Sequence, residues 1–425
     1  MGPLAGVRIV DMTTVMMGPS ATQSLAEMGA DVIKVEAPGG DGVRNIAPGR
    51  SPGMGGLFLN NNANKRSLAI DLKRPEGRAA LLQLAATADA LVYNVRPAAM
   101  ARLGLSYEEV TRARPDLVYL GMFGYGQDGP YAARPAYDDL IQGAAMIPAL
   151  VARASGGEPR YVPNAIADRI VGLSAVGALC AALLHRERTG QGQRIDVPMF
   201  ETMTAFVLAD HMAGQTFDPP LDEGGYARLL ARERRPFRTS DGHLCALLYN
   251  DAQWRAFYAA IGQVERFEAD VRLTTMAARS VHIADLYAEL AAIFVTRTTA
   301  EWSALLDEAD IPFTPMHDFG SIFEDPHLQA VGFFSSAEHP TEGRVRRMRT
   351  ASTWSATQPV LDRPAPTYGE HSVAVLTEAG LAEQEIAALI ADGVVADGAA
   401  RPVTTVAAEP NRPQRMDTLK AADPV

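Results

Sequence analysis

Cysteine is almost missing: two residues in 425, Cys180 and Cys245, far apart and with no CxxC spacing. That excludes a disulfide framework and fits a reducing compartment, so a cytoplasmic location is expected. Positive charge is also in deficit. Thirty-nine Lys and Arg against 50 Asp and Glu give a net charge of −11, which argues against broad attraction to nucleic acid or anionic membranes but leaves room for a local basic pocket. No long hydrophobic run stands out; the most apolar stretch, Ile170 to Leu184, has 15 residues, short of a bilayer span. The opening Met-Gly-Pro-Leu-Ala-Gly lacks the basic and apolar regions of a signal peptide.

Several catalytic and cofactor motifs are missing too. Glu36 ends a strand-like run where a ribose-binding acid would sit, but Met12 to Ser20 offers only Gly18 instead of the three glycines of a dinucleotide fingerprint. No GxxxxGK[ST] loop and no GxSxG elbow occur. The histidines are scattered, and His317 with Asp318 or His371 with Glu370 are adjacent pairs without ligand spacing. Nucleoside-triphosphate, serine-hydrolase and metal chemistry all lack support, and no resident cofactor or metal is expected.

What is present is a globular composition, 47% hydrophobic and 21% charged, on a chain long enough for two to three domains. Apolar runs of strand length at Val7–Met12, Asp31–Glu36, Ala90–Val95 and Leu117–Met122 alternate with helical segments at Pro19–Met28, Pro75–Ala86 and Tyr107–Arg112. Such alternation calls for a parallel sheet with helices on its faces. A long helix over Ala167–Glu187 follows, with Gly172 and Gly177 marking close packing, then a strand near Arg194–Val197. Pro219–Arg235 reads as a linker. The expected fold class is α/β: a large doubly wound Rossmann-like domain from residues 1–215, a smaller α+β domain over 216–315, a return segment over 316–397 and a disordered tail over 398–425.

Local segments then point further. MMGPSATQ at 16–23, GADVIKVE at 29–36, NKRSLAIDLK at 64–73 and NVRPAAMARLG at 94–104 resemble the class III CoA-transferase family, which also contains the α-methylacyl-CoA racemases. GYGQDGPYAARPAYD at 124–138, RTGQGQRIDVPMFE at 188–201, RRPFRTSDG at 234–242, DPHLQAVGFF at 325–334 and GEHSVAVLTEAGL at 369–381 continue the likeness in the same order.

The resemblance implies a catalytic aspartate at Asp168, in AIADRIVGL, although Asp at a helix start is chemically also an ordinary N-cap. The helix dipole would keep such a carboxylate ionised, ready to attack a thioester. It implies coenzyme A contacts at Met16, Met17, Ile70, Asp71, Leu72, Lys73, Asn94, Val95, Arg96, Arg102, Tyr137 and Asp138, with Lys73, Arg96 and Arg102 suited to phosphates. Coenzyme A, its acyl thioester and a small carboxylic acid are the implied substrates, and an interlocked homodimer is the implied assembly. Ala37 departs from relatives that carry an arginine near the nucleotide. Racemases resemble one another in a His-Asp pair where this chain has Tyr137-Asp138; a phenol is a poorer base at neutral pH than an imidazole, so transfer is expected over the alternative, racemisation. Met16 stands where oxalate and formate transferases have a glutamine, and only Gly224-Gly225 matches their glycine run, which disfavours oxalate. Arg44 is a candidate partner for a substrate carboxylate.

Overall fold

A computed structural model describes residues 2–398. Of the tail expected over 398–425, all but residue 398 lies outside the described residues. Six strands, β1 (Arg8–Met12), β2 (Asp31–Glu36), β3 (Arg66–Ile70), β4 (Ala90–Tyr93), β5 (Val118–Phe123) and β6 (Arg194–Pro198), pair in parallel in the order β3-β2-β1-β4-β5-β6. The five residues of β3 and the six of β5 are all buried, as strands covered on both faces must be. The chain progresses outward from β1 in one direction and then the other, so the gap between the carboxyl ends of β1 and β4 is the topological switch point, where ligands of open α/β sheets bind.

Each face of the sheet has its own apolar core. One packs Val10, Ile33, Leu68 and Leu91 against the helices Pro75–Ala85, Ser372–Glu378 and Glu383–Ala391. The other packs Ile9, Val32, Val92 and Leu120 against the helices Met17–Glu27, Ile166–Thr189 and Met199–His211.

The helix Ile166–Thr189 has 24 residues and, contrary to the 15-residue reading of its apolar run, is long and apolar enough to cross a membrane by length and composition. Here it serves as a wall of the core. Its buried Ala167, Val171, Ala175, Leu179 and Ala182 recur at helical spacing and face the sheet and the helix Met17–Glu27. At Gly172 a Cβ would stand 2.8 Å from the Met17 carbonyl oxygen, so only glycine permits this approach; Gly177, expected to play the same part, has nothing within 4 Å.

Farther along the chain, β7 (Phe237–Arg238), β8 (His243–Ala246) and β9 (Phe313–Pro315) form an antiparallel sheet over a separate aromatic core of Trp254, Phe257, Phe294 and Trp302. A hairpin follows, β10 (Phe334–His339) with β11 (Gly343–Met348). The chain then returns to the large sheet, where β12 (Val395–Ala396) closes its edge antiparallel to β3.

Candidate active site

At the switch point lies a cleft of about 400 Å³ lined by the loop after β1 (Thr14, Val15) and Met17 at the start of the next helix, the loop after β4 (Asn94, Val95, Arg96) and Ala99 in the helix that follows, the end of β5 (Phe123, Gly124), the segment Arg134–Tyr137, Asp168 and Met199. Six of the expected site residues meet here: Met17, Asn94, Val95, Arg96, Tyr137 and Asp168.

The others are placed elsewhere. Met16 does not line the cleft; its neighbour Val15 does. Ile70 is 1% exposed, its side chain packed in the first core, and Asp71, Leu72 and Lys73 follow it in a turn outside the cleft lining, with Asp71 Oδ1 accepting from the Lys73 N–H. Arg102 is exposed at the end of the helix Pro97–Arg102. Arg44, expected to meet a substrate carboxylate, is instead 3% exposed and bound by the Glu36 carboxylate, with Nη2 to Oε1 2.6 Å and Nε to Oε2 2.7 Å. Ser67 occupies Glu36 further, so neither residue is free for a ligand.

The loop after β1 is held by buried charge. Lys34 Nζ donates to the Thr13 carbonyl (3.0 Å) and to Asp41 Oδ2 (2.9 Å), and Asp41 accepts in turn from the Val15 N–H (3.2 Å). Lys65 Nζ reaches Asp11 Oδ2 (3.0 Å), the Pro19 carbonyl (3.0 Å) and Asn62 Oδ1 (2.9 Å), while Asp11 Oδ1 accepts from the Thr13 N–H (2.9 Å). Asn94 adds a double clamp, accepting from the Thr14 N–H at 2.9 Å and donating to its carbonyl at 2.8 Å. Both lysines have no exposed surface. A buried ammonium is tolerated only when its protons are taken up by such partners, and desolvation still lowers Lys65 to about 8. A lone lysine inside the apolar run of β2 was the one sequence signal of this network.

These anchors hold Val15 at φ 70°, a left-handed conformation that a β-branched residue adopts only under constraint. Val15→Gly is therefore expected to stabilise the fold by up to about 1 kcal/mol, strain relief slightly exceeding the entropic cost of glycine. Urea denaturation checks it; a loss of more than about 1 kcal/mol would show that Val15 carries no strain.

Asp168 is the third residue of its helix, and its side chain does not act as a cap. Its own N–H is instead taken by Asp138 Oδ1 at 2.9 Å. Among the described residues nothing donates a hydrogen bond to the Asp168 carboxylate, which faces the cleft with both oxygens available. Burial, and then the nearby Asp138 charge, raise it from the usual value to about 6, with Arg169 opposing. Desolvation and a like charge thus outweigh the terminal dipole in setting the acidity, yet a carboxyl at about 6 is still mostly ionised at neutral pH.

The consequence for rate is direct. The nucleophile that the family resemblance implies at Asp168 would react only when ionised, so on that reading kcat/KM is expected to fall about tenfold between pH 8 and pH 5 along a limb with an apparent pKa near 6. A profile flat down to pH 4.5 would contradict this placement of Asp168.

Arg96 and Arg134 supply the positive charge of the cleft. Arg96 Nη1 donates to the Ala133 carbonyl at 3.1 Å, and the Arg134 guanidinium lies 3.9 Å from the Tyr131 ring centre. Sequence reasoning passed over Arg134, Thr14, Val15, Phe123 and Met199, although Arg134 stands in the RPAYD segment. Among the described residues there is no group of three or more metal-ligating side chains.

A parallel-sheet switch point, an unpartnered carboxylate and two arginines describe a site for an anionic ligand. The family model of CoA-transferase family III matches residues 4–372. The chain belongs to that family. It is a class III CoA-transferase, similar to the mouse succinyl-CoA:glutarate CoA-transferase, 32% identical with 93% of this chain and 91% of that protein covered. It is also similar to the Escherichia coli formyl-CoA:oxalate CoA-transferase, 31% identical over 91% of this chain and 98% of that one. Among solved structures, a CAIB/BAIF family protein from Brucella suis aligns with a TM-score of 0.75 at 31% identity, covering 89% of this chain and 99% of that one. An aspartate-to-alanine mutant of Rv3272 from Mycobacterium tuberculosis gives 0.76 at 29% identity over 88% and 98%.

Proposed function

We propose that this transferase moves coenzyme A from an acyl-CoA donor to a free carboxylic acid through covalent intermediates on Asp168. The observation that carries this reading is the Asp168 carboxylate, half-buried in the cleft and unpartnered, beside residues where the family resemblance puts coenzyme A. An Asp168 oxygen attacks the donor thioester carbonyl, the C–S bond breaks, and CoA leaves as thiolate with a mixed anhydride on the enzyme. The thiolate attacks the aspartyl carbonyl, releasing the donor acid and leaving an aspartyl-CoA thioester. The acceptor carboxylate displaces the thiolate to form a second anhydride, and the thiolate then takes the acceptor acyl group and regenerates Asp168. Both intermediates hydrolyse in water, so the apolar walls Val15, Val95, Phe123 and Met199 serve by excluding it.

Met17, Asn94, Val95, Arg96 and Tyr137 would hold the coenzyme, with Lys73 and Arg102 at its phosphate end. Arg134 is the natural partner for the far carboxylate of a dicarboxylic acid, a class favoured by the succinate and glutarate relatives. The strand order supports a doubly wound large domain, and exposed apolar side chains such as Phe319 (94%) and Leu173 (67%) support burial in a homodimer. The two scarce cysteines favour a cytoplasmic location.

The test is a panel of succinyl-, glutaryl-, acetyl- and oxalyl-CoA with isotope-labelled acids, reading label in the acyl-CoA pool. Transfer to dicarboxylates is expected. Deuterium exchange at the α-carbon of a 2-methylacyl-CoA without any transfer would overturn the reading in favour of racemisation.

A further inference from the structure

The segment that delivers Asp168 to the cleft has no cap of its own. Ala165 stands at the N-cap position of the catalytic helix and offers no side-chain acceptor, and the chain enters through Asn164 and Pro163. An uncapped first turn leaves donors unsatisfied and frays. Another helix supplies what is missing. The helix Asp138–Ala144 begins with Asp138, whose Oδ1 accepts from the Asp168 N–H at 2.9 Å and whose Oδ2 accepts from Gln142 Nε2 at 2.6 Å. Gln142 lies one turn along the same helix with no exposed surface. Its Oε1 accepts from the Val162 N–H at 3.0 Å, and its Nε2 also reaches the Asn164 carbonyl at 3.3 Å.

We propose that Asp138, locked by Gln142, is a positioning residue for the reaction: the pair pins residues 162–168 to one helical turn and so fixes the direction in which the Asp168 carboxylate faces. This rests on Asp168 being the nucleophile. It assigns Asp138 a place in the transfer step rather than a contact with coenzyme A, since both of its oxygens are engaged within the protein. The charged groups bearing on Asp168 are Asp138 and Arg169, with Arg96, Arg134 and Tyr137 lining the same cleft. Removing the Asp138 charge while keeping an acceptor oxygen separates the two things Asp138 does.

The experiment compares Asp138→Ala, Asp138→Asn and Gln142→Leu with the parent enzyme in steady-state transfer from succinyl-CoA, across pH 5 to 8. Asp138→Ala is expected to lower kcat about 10²-fold, the usual penalty for a misplaced reacting group, with KM for acyl-CoA changed less than threefold. Gln142→Leu loses about tenfold. Asp138→Asn keeps an acceptor for the Asp168 N–H but loses the one for Gln142 Nε2, so its loss is near that of Gln142→Leu and well short of that of Asp138→Ala, and it moves the acid limb of the profile below pH 6. An Asp138→Ala enzyme within twofold of the parent would overturn the proposal, as would equal losses in the Ala and Asn variants carried by KM, which would mark a direct coenzyme contact. If the Ala variant does not fold, the Asn variant decides, and an unmoved acid limb counts against the proposal. Failure of the nucleophile reading shows separately, as full activity of Asp168→Asn.

Discussion

Asp168→Asn is expected to lose at least about 10⁴-fold in kcat for CoA transfer while melting at a higher temperature than the parent above pH 6. On the proposed mechanism the loss follows from removing a group that forms or breaks a covalent bond in every step; such knockouts leave only binding and oxyanion stabilisation. The gain follows from linkage. Asp168 is raised to about 6 in the fold, so its charged form is disfavoured there relative to the unfolded chain. The penalty is absent below the unfolded value, grows as pH rises through the window up to about 6, and is fully present above it. An uncharged isostere removes it, for at most about 3 kcal/mol, less with partial solvent access. Calorimetry at pH 5 and pH 8 beside a transfer assay reads both effects; a variant destabilised at pH 8 would mean that Asp168 is held for structure rather than for reaction.

The second large effect concerns the buried lysine under the cleft. Lys65→Met is expected to destabilise the fold by about 3–5 kcal/mol, because it strands the Asp11 carboxylate in an interior where both partners have no exposed surface. It also frees the Pro19 carbonyl and Asn62 Oδ1, so transfer activity of the folded fraction should fall as well. The double variant Asp11→Asn with Lys65→Met should be less unstable than the sum of the single variants, since the second change removes the uncompensated charge left by the first. Guanidinium denaturation of the three proteins measures this coupling, and strict additivity would show that the pair does not interact.

The large sheet was legible because its strands are apolar runs at βα spacing, with helical periods between them, and burial on both faces writes itself into composition. β12 was not, since two residues carry no pattern and their pairing with β3 is made across more than 300 positions. The hairpin β10–β11 escaped because neither strand alternates: GRVRRM is exposed along most of its length. Asp168 was visible through its likeness to a family motif alone, for the same residue at a helix start reads equally well as a cap; only the structure shows that Asp138 takes the capping part and leaves Asp168 free. Lys34 and Lys65 show the opposite ambiguity. Both stand in the quoted segments GADVIKVE and NKRSLAIDLK, where a cation reads as a solvated or ligand-binding group, yet burial turns both into struts of the loop that carries Val15 and Met17. Arg44 looked like a carboxylate partner and is one, but for Glu36, eight residues earlier in the chain, rather than for a substrate.

The central claim is that Asp168 becomes acylated. Incubating the protein with succinyl-CoA, quenching with hydroxylamine and mapping peptides by mass spectrometry tests it most directly, because an anhydride or thioester on a side-chain carboxylate is converted to a hydroxamate on that residue. The account predicts a hydroxamate on Asp168 in the parent and none in Asp168→Asn. Transfer activity with no modified aspartate, or with the mark on another carboxylate, would contradict it.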